Sequence, residues 1–214
     1  MRQFTRELLD EVQEDFLGYL DGADDLCALR DMNYANGQIP DYTRSEVRQL
    51  YLLRYLPAYL VEYYIMYNGL INCGFLGLPM SVISVGVGCG VDFYALHHVL
   101  SDRRIWRHGL VNYTGIDRVD WGYVYNFGHP GFALHHGDIL HLEEFARANT
   151  NVLVFPKSIG EFSEQAFRHV LHLIQASRFN SPHLAVLSSL RVSSSRLDEQ
   201  RTAAVVNALS RAHG

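Results

Sequence analysis

The chain has 214 residues, of which 48% are hydrophobic and 19% are charged, and its formal net charge is −5. This composition excludes an intrinsically disordered protein, and the length suits one α/β domain with an accessory segment better than two large domains. Three cysteines in no metal-spaced pair exclude a disulfide framework and favour a reducing compartment, so we expect a cytoplasmic protein.

Residues 1–80 have the patterns of helices and loops. Within residues 3–20, apolar side chains recur every four positions between charges, which predicts an amphipathic helix rather than a secretion signal. Residues 21–41 contain Gly, Asn and Pro, which indicates a loop. Because residues 1–31 hold nine carboxylates and three arginines, this part of the chain should bind phosphate groups poorly.

A second helix is predicted after this loop. Thr43 and Glu46 have the spacing of a capping box, which places the start of a long helix there and its end near Asn68. The apolar stretch in this helix is interrupted by Arg54 and Pro57, so no membrane span is expected. We therefore expect residues 1–80 to form an N-terminal helical cap or lid.

Five tyrosines recur at every fourth position of this helix, so their rings should form one slowly rotating stripe: Tyr51, Tyr55, Tyr59, Tyr63 and Tyr67. Packing of the helix against a sheet is the simpler explanation, since tyrosine buries a large ring and needs one partner for its hydroxyl. One alternative is that the helix forms a lid, rimmed by tyrosine hydroxyls, over a bound molecule. Another is that the rings form a platform on which unpaired bases stack.

From residue 81 onward, short apolar runs alternate with helical patterns. Strands are expected at 81–88, 111–117, 132–138, 151–158 and 183–190, with helices or helical turns at 91–102, 120–127, 141–148, 163–177 and 198–212. Strands that alternate with helices imply right-handed crossovers and a parallel sheet covered on both faces. We therefore predict a doubly wound, mostly parallel α/β domain at residues 81–214.

The first strand ends in glycines at alternate positions, Gly86, Gly88 and Gly90, immediately before a helix. In a doubly wound fold this loop lies at the ligand crevice, where glycines let the backbone approach a nucleotide-like group. A dinucleotide-binding fingerprint requires glycine at its sixth position, where this chain has Val91. A nicotinamide-dependent oxidoreductase is therefore disfavoured, while a purely structural tight turn stays open.

The glycine spacing, followed by the segments "YTGID" and "HHGDIL", resembles the class I S-adenosylmethionine (SAM)-dependent methyltransferases over residues 81–190. The resemblance implies a Rossmann-like sheet in the strand order 3-2-1-4-5, SAM as the cofactor and transfer of its methyl group to an acceptor. It also implies the cofactor contacts: Gly86, Gly88 and Gly90 beside the methionine and ribose, Asp117 on the ribose hydroxyls, and Asp138 with Ile139 around the adenine.

The resemblance implies that the segment "FPKS", after the fourth strand, faces the methyl group and the acceptor. It contains Lys157, the only lysine of the chain, whereas the other seventeen cationic side chains are arginines. A nearby sulfonium disfavours a lysine's ammonium form, so Lys157 is a candidate base, with Glu161 and Tyr63 as the others. Chance survival of one lysine in an arginine-rich chain is the simpler explanation.

The acceptor stays open among a small metabolite, a protein side chain and RNA, and the acidic balance favours the first two. "FPKS" stands where enzymes that methylate exocyclic base amines have an "NPPY"-type tetrapeptide, so that activity is disfavoured. Many members also have an acidic residue at the position of Ser84, for which Asp92 could compensate. These departures keep open a SAM-binding sensor or complex subunit that does not methylate.

Two further expectations concern metals and partners. The eleven histidines have no carboxylate or cysteine partner at ligand spacing, so no metal site is expected. Only five strands can be counted, which leaves the fifth strand as an open edge. We expect this edge to be covered by the N-terminal segment, by a second protomer in a homodimer, or by sequence beyond this chain.

Overall fold

The computed structural model describes residues 2–21, 40–75, 79–105, 109–123, 131–143, 149–177, 179, 181, 183–190 and 195–213. The loop expected at 21–41 and the helix expected at 141–148 lie largely outside these residues. The helical turn expected at 120–127 is not helical over 120–123, and its remainder lies outside the described residues.

The described elements alternate in the expected order. The helices are α1 (Arg2–Asp21), α2 (Ser45–Leu70), α3 (Val91–Asp102), α4 (Glu164–Ala176) and α5 (Ser195–His213). The strands are β1 (Met80–Val85), β2 (Val111–Asp117), β3 (Phe132–His136), β4 (Val152–Phe155) and β5 (Ala185–Ser188). Each strand is bounded by polar or glycine-containing loops, as a short buried strand requires.

The five strands form one sheet in the order β3-β2-β1-β4-β5, and every neighbouring pair is parallel. The predicted order 3-2-1-4-5 and the doubly wound fold are confirmed. Strand order reverses direction between β1 and β4, because β2 and β3 lie on one side of β1 and the later strands on the other. Ligands of such sheets bind outside the carboxyl ends of the strands at this reversal.

Side chains of the strands alternate between two hydrophobic cores, one on each face of the sheet. Val82 and Val154 belong to the core that also contains side chains of α1, α2 and α3. Their chain neighbours Ile83 and Phe155 belong to the core that contains side chains of α4 and α5. Coverage of both faces explains why the strands are continuous apolar runs.

The start of α2 differs from the predicted capping box. The amide and hydroxyl of Thr43 both donate to Asp41 Oδ1, at 3.1 and 2.6 Å. Arg44 is the residue before the helix and makes no capping bond through its side chain, while its guanidinium pairs with the Glu46 carboxylate. The capping box was wrong because Asp41 and Arg44 engage the two side chains that would have formed it.

Helix α2 ties the N-terminal segment to the rest of the chain. It runs through Pro57, ends at Leu70 and continues as a π-helical turn, Ile71–Phe75. It packs on α1 and α3. The Tyr64 hydroxyl donates to Asp102 at the end of α3, at 3.1 Å. The tyrosine-bearing helix therefore packs on other helices, and through Tyr63 and Tyr67 it also shares one hydrophobic core with the sheet.

Strands β3 and β5 form the two edges of the sheet within the described residues. No described strand pairs with the outer edge of β5, whose four residues are half-buried. That the N-terminal segment, a second protomer or sequence beyond this chain covers this edge stays a prediction. Of the helices that the structure describes, none has both the length and the apolar character needed to cross a bilayer.

Candidate functional site

A cavity of about 460 Å³ lies at the carboxyl ends of β1, β2 and β4. Its volume is in the range of cavities that bind small molecules and cofactors. The loops after these three strands and the loop after β3 line it, together with the sides of α2 and α4. Among the predicted site residues, the lining includes Gly86, Gly88, Asp117, Asp138, Ile139, Lys157, Glu161 and Tyr63. Gly90 is the one predicted site residue that does not line it.

The glycine loop after β1 has a backbone that other residues would adopt only with strain. Gly86, Gly88 and Gly90 have φ values of 71°, 61° and 85°, in the left-handed region that glycine tolerates. A Cβ at Gly86 would overlap the Cβ of Ser158 in the loop after β4, and one at Gly88 would lie 3.6 Å from the Trp121 ring. The first two glycines thus give close approach to the cavity, while Gly90 serves the turn into α3.

Asp117, at the end of β2, holds the glycine loop from the cavity side. Its Oδ2 accepts a hydrogen bond from the Gly88 amide at 2.8 Å, and its Oδ1 accepts one from the Val119 amide at 2.8 Å. A carboxylate has about four lone-pair directions, so this one keeps acceptor capacity for a bound molecule. Burial raises the pKa of Asp117, and the two backbone amides, with the Trp121 side chain and Arg118, oppose this effect.

Asp138 and Ile139 follow β3 on the same cavity. The Asp138 carboxylate accepts from the Leu140 amide at 2.9 Å and so caps the short 3₁₀ helix Ile139–His141. The Ile139 side chain is buried in the core beneath. Both residues line the cavity as well, so the capping function and a ligand contact are compatible at this position.

Asp92 does not reach the cavity. It is fully buried between α2, α3 and β2, where its carboxylate accepts hydrogen bonds from the hydroxyls of Tyr113, at 2.8 and 2.9 Å, and Tyr67, at 3.3 Å. Burial raises its pKa to about 6. The expectation that Asp92 compensates for Ser84 at the cofactor is wrong, because its side chain points into the helix-covered core.

Lys157 lines the cavity with an ion-paired ammonium group. Its Nζ lies 2.9 Å from Glu62 Oε1 and 2.6 Å from the Leu190 carbonyl oxygen, and it sits 5.3 Å from the centroid of the Tyr59 ring. The carboxylate and the carbonyl oxygen engage two of the three donors of the ammonium group. Ser189 also donates to Glu62, so this pair joins α2 to the loops after β4 and β5. These contacts argue against Lys157 as a base.

Tyr63 and Glu161 are the other candidate bases. Tyr63 is almost fully buried, and burial raises its pKa well above the ordinary value, so its hydroxyl stays protonated and can donate but not accept a proton. Glu161 lies on the cavity wall near Tyr59, whose pKa is raised to about 12 by burial and then by neighbouring groups that include Glu161. Glu161 stays a candidate proton acceptor by its place on the cavity wall.

Aromatic rings form a continuous part of the lining, which we call the aromatic wall: Tyr42, Tyr51, Tyr59, Tyr63 and Trp121. The Trp121 ring lies 5.2 Å from that of Tyr42 and 5.3 Å from that of Tyr51, measured between centroids. Sequence reasoning found the tyrosines of α2 by their spacing, but missed Tyr42 and Trp121. Both come from irregular segments with no periodic signal.

The loop that carries Trp121 is tied to the N-terminal helices. The Tyr123 hydroxyl donates to Asp15 of α1 at 2.6 Å and accepts from Gln49 of α2 at 2.9 Å. The Trp121 ring itself is almost fully buried, and its ring nitrogen lies close enough to the Asp117 carboxylate to oppose the rise in that carboxyl's pKa.

No protein-family model and no curated protein sequence matches the chain. Among solved structures, a protein from Methanococcus maripaludis assigned as an S-adenosyl-L-methionine-dependent methyltransferase is similar over 79% of this chain and 74% of its own, with 13% identity and a TM-score of 0.44. A protein from Anabaena variabilis, assigned as a methyltransferase of an antibiotic biosynthesis pathway, is similar over 69% of this chain and 60% of its own, with 17% identity and a TM-score of 0.44.

The plantazolicin methyltransferase BpumL, solved in complex with SAH (S-adenosylhomocysteine), is similar over 92% of this chain and 73% of its own. Its identity is 13% and its TM-score is 0.49. At such values these likenesses carry no argument about chemistry, which rests on the residues of the chain itself. The chain has a doubly wound, Rossmann-like fold, and the three solved structures compared with it above are assigned as methyltransferases.

Proposed function

We propose that the chain is a SAM-dependent methyltransferase. The observation that carries the proposal is the joint placement of Gly86, Gly88, Asp117, Asp138 and Ile139 on one cavity at the strand-order reversal. Each of these residues has a simpler structural explanation when taken singly, as a turn, a cap or a core residue. A single cavity that collects all five is the arrangement expected of a site for a nucleoside-containing molecule.

The residues present fit SAM. Gly88 lies on the cavity beside the Trp121 ring, and Gly86 lets Ser158 of the loop after β4 approach closely, so backbone lines this part of the cavity, which suits the methionine and ribose portions. The remaining acceptor capacity of the Asp117 carboxylate suits the ribose hydroxyls, and Asp138 with Ile139 suits the adenine amine and ring. When bound, SAM supplies an electrophilic methyl group on a positively charged sulfur.

The chain's own contribution to methyl transfer is positional. An in-line attack needs the acceptor atom held at attack distance, and a base is required only if the acceptor must lose a proton. The aromatic wall and Glu161 flank the part of the cavity open to an acceptor, and Glu161 is the proposed proton acceptor. Residues 1–80 act in this proposal as a cap, whose Tyr42, Tyr51 and Tyr59 close the site above the domain formed by residues 81–214.

Calorimetric titration with SAM, SAH and NAD tests the proposal. We expect SAM and SAH to bind and NAD to bind much more weakly, because the glycine spacing lacks the third dinucleotide glycine. Tight binding of NAD with no binding of SAM would contradict the proposal.

Asp117→Ala is the variant that tests the ribose contact. Loss of acceptors for two hydroxyls in a mostly dry crevice should weaken SAH binding about tenfold to a hundredfold. Asp120→Ala is the matched control, since Asp120 lies three residues away and, among the residues that the structure describes, accepts from the Gly122 amide in an exposed turn. Equal affinity of the two variants for SAH would remove the ribose assignment.

A second candidate is a SAM-binding sensor or complex subunit without transferase activity. It is favoured by the contacts of Lys157 and Tyr63, neither of which has the surroundings of a base. Formation of SAH from SAM, measured with a panel of metabolite and peptide acceptors, separates the two candidates once SAM binding has been shown.

A further inference from the structure

Trp121 lies at the end of the cavity that is proposed to hold the cofactor. Its ring lines the cavity and is almost fully buried. The ring comes within 3.6 Å of the place that a Cβ of Gly88 would occupy, and the same side chain opposes the rise in the pKa of Asp117. Trp121 therefore lies against both the glycine loop and the carboxylate proposed to hold the ribose.

The loop that carries Trp121 is attached to the sheet at its start, where the His136 ring nitrogen lies 2.7 Å from the Arg118 carbonyl oxygen. A turn within the loop follows, in which Asp120 accepts from the Gly122 amide at 3.1 Å. Neither contact involves the Trp121 side chain. The position of this ring therefore depends on what holds the later part of the loop.

Tyr123 joins this later part of the loop to the two N-terminal helices. Its hydroxyl donates to Asp15 Oδ2 of α1 at 2.6 Å and accepts from Gln49 Nε2 of α2 at 2.9 Å, and we call these three residues the Tyr123 clamp. The side chains of Gln49 and Tyr123 are buried, and Tyr123 belongs to the same hydrophobic core as Trp121. A hydroxyl that donates and accepts at once has a fixed direction.

The bond from Tyr123 to Asp15 persists at physiological pH. Burial, followed by the bond to Asp15, raises the pKa of Tyr123 to about 12, so its hydroxyl keeps the proton that it donates. A hydrogen bond to an ionised acceptor is shorter and roughly twice as strong as one between neutral groups. The clamp can therefore fix the loop on the N-terminal helices.

We propose that Tyr123 is a positioning residue, through which the N-terminal helices hold Trp121 against the glycine loop and so shape the cofactor end of the cavity. This inference rests on the proposed methyltransferase function. Tyr123 itself does not line the cavity, so it acts through Trp121. The Trp121 ring also lies 5.2 Å from that of Tyr42 and 5.3 Å from that of Tyr51. Residues 1–80 therefore take part in cofactor binding as well as covering the acceptor.

Tyr123→Phe tests this role, because it removes the hydroxyl and keeps the ring. We expect SAH to bind the full-length variant about three- to tenfold more weakly in calorimetry, since the lost hydrogen bonds release the loop. Acrylamide quenching of tryptophan fluorescence, measured without SAH, should increase in the same variant because the Trp121 ring becomes more accessible. The fluorescence distinguishes a displaced Trp121 from a general loss of stability.

Asp15 tests the hydrogen bond itself. Asp15→Asn keeps an oxygen that can accept from the Tyr123 hydroxyl, so it should retain most of the SAH affinity. Asp15→Ala lacks this oxygen and should weaken SAH binding, as Tyr123→Phe does. The double variant should bind SAH no more weakly than Tyr123→Phe alone, because both changes remove the same contact. Additive losses in the double variant would overturn the proposal.

Tyr64→Phe is the matched control, because it removes a tyrosine hydroxyl that donates to an aspartate, Asp102, away from the cavity. It should change neither the SAH affinity nor the fluorescence quenching. If Tyr123→Phe bound SAH as the unaltered chain does, or if Tyr64→Phe weakened SAH binding equally, the positioning role would be overturned and the proposed function would stand. Absence of SAH binding by the unaltered chain would contradict the proposed function, and the positioning role with it.

Discussion

Three glycines with positive φ values follow β1, yet they differ in what they face. Gly86 and Gly88 lie on the cavity, whereas Gly90 begins α3 and a Cβ added there would meet nothing within 4 Å. All three glycines have a left-handed backbone conformation, but they differ in the atoms that surround them. The spacing of the glycines predicted the same cofactor contact for all three. It indicates a tight turn, but it does not indicate the direction in which each glycine faces.

Gly88→Ala and Gly90→Ala form a matched pair that separates strain from binding. Both should lose about 1 to 2 kcal/mol of unfolding free energy, the cost of a left-handed backbone with a Cβ. Only Gly88→Ala should also weaken SAH binding, by about tenfold, because its methyl group would enter the cavity. The measurements are urea unfolding and calorimetry, and equal SAH affinities of the two variants would contradict the cavity assignment of Gly88.

The raised pKa of Asp92 predicts that the free energy of unfolding depends on pH. The pKa of about 6 that Asp92 has in the folded chain exceeds the ordinary aspartate value of 3.8, so the folded chain keeps this proton to a higher pH than the unfolded chain does. The associated stability is present below about pH 4 and is lost as the pH rises through 6, a change of about 3 kcal/mol. Asp92→Asn should lack this component.

The measurement is urea unfolding of both proteins at pH 4.5, 5.5 and 7. The free-energy difference between Asp92→Asn and the unaltered chain should shift in favour of the variant as the pH rises. Parallel profiles would mean that the Tyr113 and Tyr67 hydroxyls hold the carboxylate ionised in the folded state throughout this range.

At the scale of elements, the strands and most helices were predictable, but the cap at the start of α2 was not. β2 covers the residues that its pattern predicted, and α3 does as well, because hydrophobic periodicity and flanking glycines mark both. The start of α2 was mispredicted because Thr43 and Glu46 have competing partners in Asp41 and Arg44. A capping pattern gives the right spacing but does not show which nearby groups compete for its donors and acceptors.

Ser163 and Thr43 give a direct test at this scale. The Ser163 side chain accepts from the Ala166 amide at 3.1 Å and caps α4, whereas the Thr43 hydroxyl donates to Asp41 and caps nothing. Ser163→Ala should lower the unfolding free energy by about 1 kcal/mol, and Thr43→Ala by less. Thermal unfolding measures both, and a larger loss for Thr43→Ala would restore the capping box.

For the whole molecule, the site depends on segments that are far apart in sequence. The cavity is lined by residues of α2 and by loops after β1, β2, β3 and β4. The sequence predicted that the strand ends would meet, since parallel strands present their carboxyl ends at one edge. It could not predict the pairing of Lys157 with Glu62, which are 95 residues apart, because such pairs depend on how helices pack.

A ligand that contacts these segments together should stabilise the whole fold. At a free SAH concentration one hundred times its dissociation constant, the gain is about 2.7 kcal/mol, which corresponds to a rise in melting temperature of about 5 to 10 °C. Differential scanning fluorimetry measures the shift. NAD at the same concentration is the control, and an unchanged melting temperature with SAH would contradict binding at this cavity.

Because Lys157 is ion-paired, its reaction with an amine-acylating reagent can report how often this part of the structure opens. Apart from the chain's amino terminus, such a reagent has one target, and that side chain is only 13% exposed. Acylation at Lys157 therefore has to wait for the contact with Glu62 to open, so the rate at which the added mass accumulates measures how often α2 and the loop after β4 separate. A bound ligand that bridges the two would appear in the mass spectrum as a slower reaction at a single peptide.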